Sequence, residues 1–455
     1  MGFLALGAFT LLWLRHTILD ILNFRNRPYS SLWHLQILLV SFPVILITFL
    51  EIERISTIYL GENGTEVPIA LMVLGSLFLY ILFLGIFLRV FVPITRKATP
   101  CLDDMDTSCK NLKKRFLKLG WGLSFVGVFI ILTFKALGYH HATLEAFLTN
   151  SPLINLRLQN AYGTSVPSQS VPLLYYLGYI LAWLAGILLR LRGQLTHAFL
   201  FGIFSLALVS MPGDKAPVLI AVAIFILSWR PWIRGRFSPI AVLIWGLILL
   251  IGLTAALFVL WQIQSPGLNP NAFFPYIFNR LGIGQMAGTY ETFGMAARGD
   301  LPKGDFYWHM IPGASFFVDY IDYQKLLMMI TEGYGYTEMG VKNTYFIAEA
   351  YAIGGYVLLW ISPLIVALNL VLGIWILRKF FSIIFPLPFA SELSILIYLI
   401  SHNITGGFSS FPFFKGLIHV LILLGPPLLL IRFFFLVESP RPNPRPNHVG
   451  SGQKL

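Results

Sequence analysis

Long apolar runs separated by short polar connections dominate this chain. Read against the ~20 apolar residues a helix needs to cross a bilayer, they predict eleven spans, at 2–22, 34–52, 67–92, 119–138, 172–190, 195–211, 216–229, 237–262, 344–377, 386–402 and 415–437. The runs are unbroken rather than alternating, which argues for helices and against a closed barrel of strands. Four regions follow: eight spans with short loops over 1–262, a large loop with amphipathic helices over 263–343, three spans over 344–437, and a Pro-rich polar tail over 438–455 that reads as disordered. The first span carries no cleavage signal, so it is expected to act as its own targeting signal.

Composition sharpens this into a class. Of 455 residues 57% are hydrophobic and 11% are charged, and the mean hydropathy is +0.76. A soluble globular domain is excluded, and an all-α polytopic membrane protein is expected. The net charge of +12 would suggest nucleic acid in a soluble chain. Here the basic residues cluster at helix ends, so orientation in a membrane explains them and no nucleic-acid partner is expected. Arg25 and Arg27, Arg96 through Lys118, Arg190 and Arg192, Arg230 through Arg236, Arg378 and Lys379, and Arg432 through Arg445 fall in alternate connections. The positive-inside rule places these in the cytoplasm, with the N-terminus outside and the C-terminus inside. The remaining connections, 53–66, 139–171, 212–215, 263–343 and 403–414, then face outward. Cys101 and Cys109 share one basic connector and match no zinc or redox spacing. Asp103, Asp104 and Asp106 in that connector read as a solvated loop, and no metal site or cofactor is expected.

The outward connections hold the chemistry. Ionisable residues at membrane depth are costly and therefore candidate functional groups. Segment 279–351 contains Arg280, Glu291, Arg298, His309, Lys342 and Glu349 among aromatics and glycines, and it reads as a lid and one wall of a cavity. Arg280 and Glu291, eleven residues apart, share a helix face. Gly282, Gly284, Gly288 and Gly294 argue against a rigid free helix and for close packing there. Asp305–Gly313 (DFYWHMIPG) mixes His309 with rings such as Trp308, a composition suited to stacking on sugars, and Tyr290 adds another ring. Arg157, beside Gln159, Asn160 and Tyr162, and Lys215, in the turn Pro212–Pro217, are cations for a phosphate. Asp214 is expected to satisfy the helix end and leave Lys215 aimed at the cavity. His140 and His141, being adjacent, point apart and make a poor metal pair. His402 lies at the end of the tenth span. Gly354-Gly355 is expected to allow close helix packing.

In order along the chain, INLRLQNAYGTS, MPGDKAPVLIAVAIFIL, FNRLG…YETF, FYWHMIPG and KNTYFIAEAYAIGGYVLLW resemble segments of the bacterial oligosaccharide repeat-unit polymerases, which make O-antigen, common antigen and capsule. The resemblance covers roughly 154–375. It implies a GT-C-like membrane glycosyltransferase of the bacterial inner membrane, acting on its outer face. The growing chain would pass from one undecaprenyl-diphosphate-linked oligosaccharide to a sugar hydroxyl of another, and a chain-length regulator is a plausible partner. On that view Glu291, His309 and Glu349 are the candidate bases. Arg157, Lys215, Arg280, Arg298, Lys342 and His402 would cradle diphosphate or sugar together with Tyr290 and Trp308. Two departures stand out: Lys215 occupies a turn that often carries arginine in that family, and Ser401-His402-Asn403 stands where an arginine is frequent. A ligase moving lipid-linked glycan to another acceptor, or a flippase, would share the cationic cavity. The absence of an internal repeat weighs against a transporter.

Overall fold

The computed structural model describes residues 4, 7–9, 11–13, 15, 45, 48, 66–91, 108–149, 151–190, 194–229, 251, 252, 254, 255, 258, 259, 261, 262, 270–273, 275, 284–301, 306–314, 317, 318, 322–333, 335, 343–384 and 407–436. The described residues form helices and turns without a strand: α1 (Glu66–Phe91), α2 (Ser108–Ala136), α3 (Ala142–Thr149), α4 (Leu153–Tyr162), α5 (Pro172–Arg190), α6 (Leu195–Ser210), α7 (Lys215–Trp229), α8 (Gly284–Ala297), α9 (Tyr323–Glu332), α10 (Phe346–Ile384) and α11 (Lys415–Ile431). Among the described residues five helices are long and apolar enough to cross a membrane, within α1, α2, α5, α10 and α11. The spans expected at 195–211 and 216–229 appear as α6 and α7, of 16 and 15 residues, shorter than the ~20 of a full crossing. Those expected at 2–22, 34–52, 237–262 and 386–402 lie wholly or largely outside the described residues.

The centre of the bundle is α5. Its sequence, PLLYYLGYILAWLAGILLR, has no polar face between its ends, and a helix apolar all round is one meant to be surrounded. Leu174 through Leu188 are accordingly buried almost without interruption. Small residues let its neighbours approach: the Ser205 hydroxyl donates to the Gly178 carbonyl at 2.7 Å, joining α6 to α5. Trp183 meets Phe116 of α2 edge-on at 6.0 Å. The other long helices present apolar residues outward, as Phe125, Phe129 and Leu132 of α2 do. Exposed apolar surface of that extent suits a lipid environment, not water.

A second pair joins α1 to α10, with Tyr80 against Phe346 and Gly75 close under the Trp360 ring. α10 is not one continuous helix. At Gly354 and Gly355 the backbone leaves the helical region, and Gly355 adopts φ 61°, ψ −154°, a conformation essentially reserved for glycine. The two sides of this break meet the same small turn. Glu349 accepts the N–H groups of Phe408 and Ser409, while Asn369 donates to the Phe411 carbonyl. In a straight helix residues 349 and 369 would stand about 30 Å apart, whereas Phe408 and Phe411 are ends of one hydrogen-bonded turn. The chain therefore bends sharply at the glycine pair. The span expected over 344–377 is present as an apolar helical stretch but contains this break, and Gly354-Gly355 serves the break and not a helix crossing: a Cβ at Gly354 would meet Leu358 of the same element at 2.7 Å and one at Gly355 would face open space.

The connections that end α2 and α6 and begin α5, α7 and α11 gather at one end of the bundle. Ala142 N–H donates to the Met211 carbonyl, Ser165 N–H to that of Leu137, and the His419 ring sits 3.0 Å from the Gln169 carbonyl.

Candidate functional site

Four separate segments converge at that end. α8 and α9 pack together through buried Met295, Phe306, Tyr323 and Leu327, so the described parts of the large loop form a fixed wall. Gly288 is what lets α8 approach the strand of chain entering α10: a Cβ there would stand 2.6 Å from the Asn343 carbonyl oxygen. This is the close packing its sequence suggested. One residue on, Thr289 Oγ1 accepts the Tyr345 N–H at 2.7 Å in the buried interior. The Tyr323 hydroxyl donates to Thr292, also buried. Burial pushes that hydroxyl above its ordinary range, the Thr292 hydrogen bond opposes this, and Glu349 and Glu291 add to the rise. Tyr323 is thus a neutral donor between the fields of the two carboxylates.

The Thr289 contact is open to direct test. A Thr289→Val variant leaves the buried Tyr345 N–H without that acceptor and is expected to lose about 1–3 kcal/mol, while Thr289→Ser keeps it. Thermal denaturation of the two purified variants in detergent should separate them; equal melting temperatures would sink the assignment.

Glu349 lies in the first turn of α10. It, His309 and Glu291 are 2%, 2% and 3% exposed, so all three candidate bases are deep in the protein. Glu349 is gripped from one side: its Oε2 takes two backbone N–H groups, and Gly407 leaves room for it, since a Cβ at 407 would sit 2.4 Å away. Gln324 Nε2 donates to Thr344 at 3.1 Å beside it. Asp322 caps α9 by accepting the N–H groups of Gln324 and Lys325, and its second oxygen lies 3.7 Å from His309 Nδ1. Lys415, the first residue of α11, donates from Nζ to the His309 carbonyl at 2.5 Å and lies in the fields of Glu349 and Asp322. His309 and Glu349 thus border the same two segments: Asp322 and Gln324 at the head of α9, and the stretch from Gly407 to Lys415. Tyr307 and half-buried Trp308, whose ring centroids are 5.2 Å apart, flank this centre.

A second cluster occupies the same end. Arg157 of α4 pairs with Asp214, which also accepts the Tyr175 hydroxyl of α5 at 2.5 Å. Gly213, at φ 88°, presses against the Arg157 stem. Asp214 thus serves Arg157 and Tyr175, where the sequence suggested a cap freeing Lys215. Burial, reinforced by Asp214 and opposed by Arg157, pushes the Tyr139 hydroxyl upward. Asn160 is spent on the backbone of His140, with bonds of 2.8 and 2.9 Å. As expected the two histidines diverge, His140 to Glu145 and His141 to the Ala207 carbonyl, and burial pushes the His141 pKa down against its backbone hydrogen bonds.

Of the other residues singled out, Tyr290 is buried with its hydroxyl 2.9 Å from Thr48, away from any sugar-stacking surface. Arg298 is exposed at the end of α8, 3.4 Å from Asp300. Lys215 opens α7, but its side chain lies outside the described residues, as do Arg280, Lys342 and His402 entirely. Among the described residues no three His, Cys, Asp or Glu side chains converge as a metal ion would require. Sequence reasoning missed Lys415, Asp322 and Gln324. Lys415 had a signal, a lone charge at the head of an apolar run, FPFFKGLIHVLILL. Comparison with protein-family models, with curated proteins and with solved structures finds no match to this chain.

Proposed function

We propose that this protein is a membrane glycosyltransferase that polymerises lipid-linked oligosaccharide repeat units on the outer face of a bacterial inner membrane, with undecaprenyl-diphosphate-linked donor and acceptor. The observation that carries the reading is the convergence of Glu349, His309, Asp322 and Lys415 from three distant parts of the chain at one end of an apolar bundle. That end is opposite the one where α2 begins with Lys113, Lys114, Arg115 and Lys118, which the positive-inside rule assigns to the cytoplasm. On this reading the eleven-span topology and a GT-C-like architecture complete the helices described above.

In the reaction a sugar hydroxyl of the incoming unit attacks the anomeric carbon of the growing chain. A new C–O bond forms, the C–O bond to the lipid diphosphate breaks, and the electron pair leaves with the diphosphate. The hydroxyl proton passes to Glu349, which ranks above Glu291 because it shares its surroundings with His309 and a lysine. Arg157 faces the leaving diphosphate from the second cluster, exchanging part of its pairing with Asp214 for the phosphate oxygens. Tyr307 and Trp308 offer stacking faces for the sugars. Charge stabilisation on the leaving group is usually the largest contribution in such sites.

The test is a gene deletion examined by glycan gel, complemented with wild type or Glu349→Gln. Single-repeat products in place of a ladder, restored by wild type but not by Glu349→Gln, are expected. An unchanged ladder overturns the reading, and complete loss of surface-linked glycan transfers it to a ligase or flippase.

A further inference from the structure

The eight residues of α3, ATLEAFLT, divide between two faces. Ala142 and Ala146 are buried and form a small cluster of their own with Leu153 and Leu156 of α4. Leu144, Phe147 and Leu148 stand at i, i+3 and i+4, so they share another side of the helix, and they are 52%, 69% and 69% exposed. Beside them runs a polar flank: Glu145 pairs with His140 at 2.9 Å, and Thr149 Oγ1 donates to the Glu145 carbonyl at 2.7 Å. A helix this short is marginal by itself. This one is held by its start. The Ala142 N–H donates to the Met211 carbonyl at 2.9 Å and Thr143 Oγ1 to that of Ser210 at 2.6 Å, while the His141 ring sits 3.1 Å from that of Ala207. These carbonyls belong to the C-terminal end of α6, where a helix leaves such groups in need of partners. α3 is therefore docked on the end of a helix whose Ile203 and Leu206 are exposed, and it follows closely on exposed Leu132 and Leu137 at the end of α2.

We propose that α3 is an interfacial helix, whose Leu144, Phe147 and Leu148 seat in the boundary between headgroups and acyl chains of the leaflet at this end of the bundle. Two observations name lipid as the occupant. The anchoring bonds put α3 at the level where α6 ends, which is the edge of the apolar zone of the bundle. Its apolar face also extends the outward surfaces of α2 and α6, which already suit lipid. An apolar face with a polar flank at that depth is the pattern of a helix lying at a membrane surface. The consequence reaches Arg157. Ala142 of α3 and Leu153 and Arg157 of α4 all close on Gly213, where a Cβ would stand 3.1, 3.1 and 2.9 Å from them. α3, α4 and the turn before α7 thus form one knot, so the lipid surface that holds Phe147 also sets the height of Arg157, at the headgroup level. The inference is independent of the transfer reading, because it requires only that the bundle spans a bilayer.

Spin labelling of the full-length protein in nanodiscs of phosphatidylethanolamine and phosphatidylglycerol tests the depth of this face. Phe147→Cys, Leu148→Cys and Thr149→Cys are made singly in a protein carrying Cys101→Ser and Cys109→Ser, which removes both native thiols. Phe129→Cys, on the exposed side of α2, marks the lipid limit. Each nitroxide is scored for collision with oxygen, which concentrates in lipid, and with a water-soluble nickel complex. Labels at 147 and 148 should collide several-fold more with oxygen than with nickel and approach the label at 129, whereas the label at 149 should favour nickel. Leu144→Cys is read in place of either should one disturb the fold. Nickel access at 147 and 148 equal to that at 149 leaves the face in water, open to a soluble partner, and overturns the proposal. Protection from both reagents means that a second copy of the chain covers the face, and overturns it as well.

Discussion

Gly407→Ala should both destabilise the protein and abolish ladder formation. The two costs have separate origins. At φ 88° a side chain is strained by roughly 1–2 kcal/mol whatever the space around it. The added Cβ would also lie 2.4 Å from Glu349 Oε2 and 3.1 Å from Gln324 Nε2, and such overpacking costs roughly 1–3 kcal/mol. The sum is about 2–5 kcal/mol. Glu349 cannot move aside without releasing the Phe408 and Ser409 N–H groups, so the clash falls on the proposed base itself. Gly333 provides the control. It terminates α9 at φ 71° and a Cβ there meets nothing within 4 Å, so Gly333→Ala isolates the backbone cost. Chemical or thermal denaturation of both variants in detergent should show the Gly407 substitution costing clearly more, with the ladder lost only there. Equal losses would mean that the close approach to Glu349 contributes nothing.

What the sequence made legible, and what it did not, follows from the range of each interaction. The helical, membrane-embedded character rests on local composition and needs no tertiary information. Glu349 and His309 stood out because an ionisable group in apolar surroundings is conspicuous one residue at a time. Their company was not legible: Lys415 lies 106 residues from His309 and Phe408 lies 59 from Glu349. The pairing of Arg157 with Asp214 spans a similar gap, which is why Asp214 read as a local cap. The glycine pair 354–355 was visible, but glycine permits both close packing and an unusual backbone, and nothing local decides between them. Only the shared turn at 408–411, reached by both Glu349 and Asn369, distinguishes a bent α10 from a straight one. Tyr290 shows the opposite failure: an aromatic in an amphipathic stretch was assigned to sugar, and the structure spends it in the interior beside Thr48.

The packing of α5 against α7 gives the second large effect. A Cβ at Gly186 would meet the Phe225 carbonyl oxygen at 2.5 Å, Ser228 Cβ at 2.7 Å and the Trp229 nitrogen at 2.9 Å. Two of these three are backbone atoms of α7, which cannot rotate away, so the helices themselves must separate. Small residues at such crossings permit the close van der Waals contact that holds helices together in lipid, where no hydrophobic force drives them. At Gly120 the nearest contact is shorter, 2.1 Å, but it is with the edge of the Phe201 ring, a side chain able to turn. The ranking by distance is therefore expected to invert: Gly186→Ala should lower stability by about 1–3 kcal/mol or more, and Gly120→Ala by less. The effect should also travel. α7 starts directly after Asp214, whose carboxylate holds Tyr175 of α5 and Arg157 of α4. Displacing α7 from α5 at residue 186 levers the far end of the same two helices and loosens that knot. Gly186→Leu should consequently shorten or abolish the glycan ladder although residue 186 lies far from Glu349, and its loss should exceed that of Arg157→Ala alone. A folded Gly186→Leu protein with wild-type ladder length would show that the Arg157 cluster does not depend on how α5 and α7 are seated.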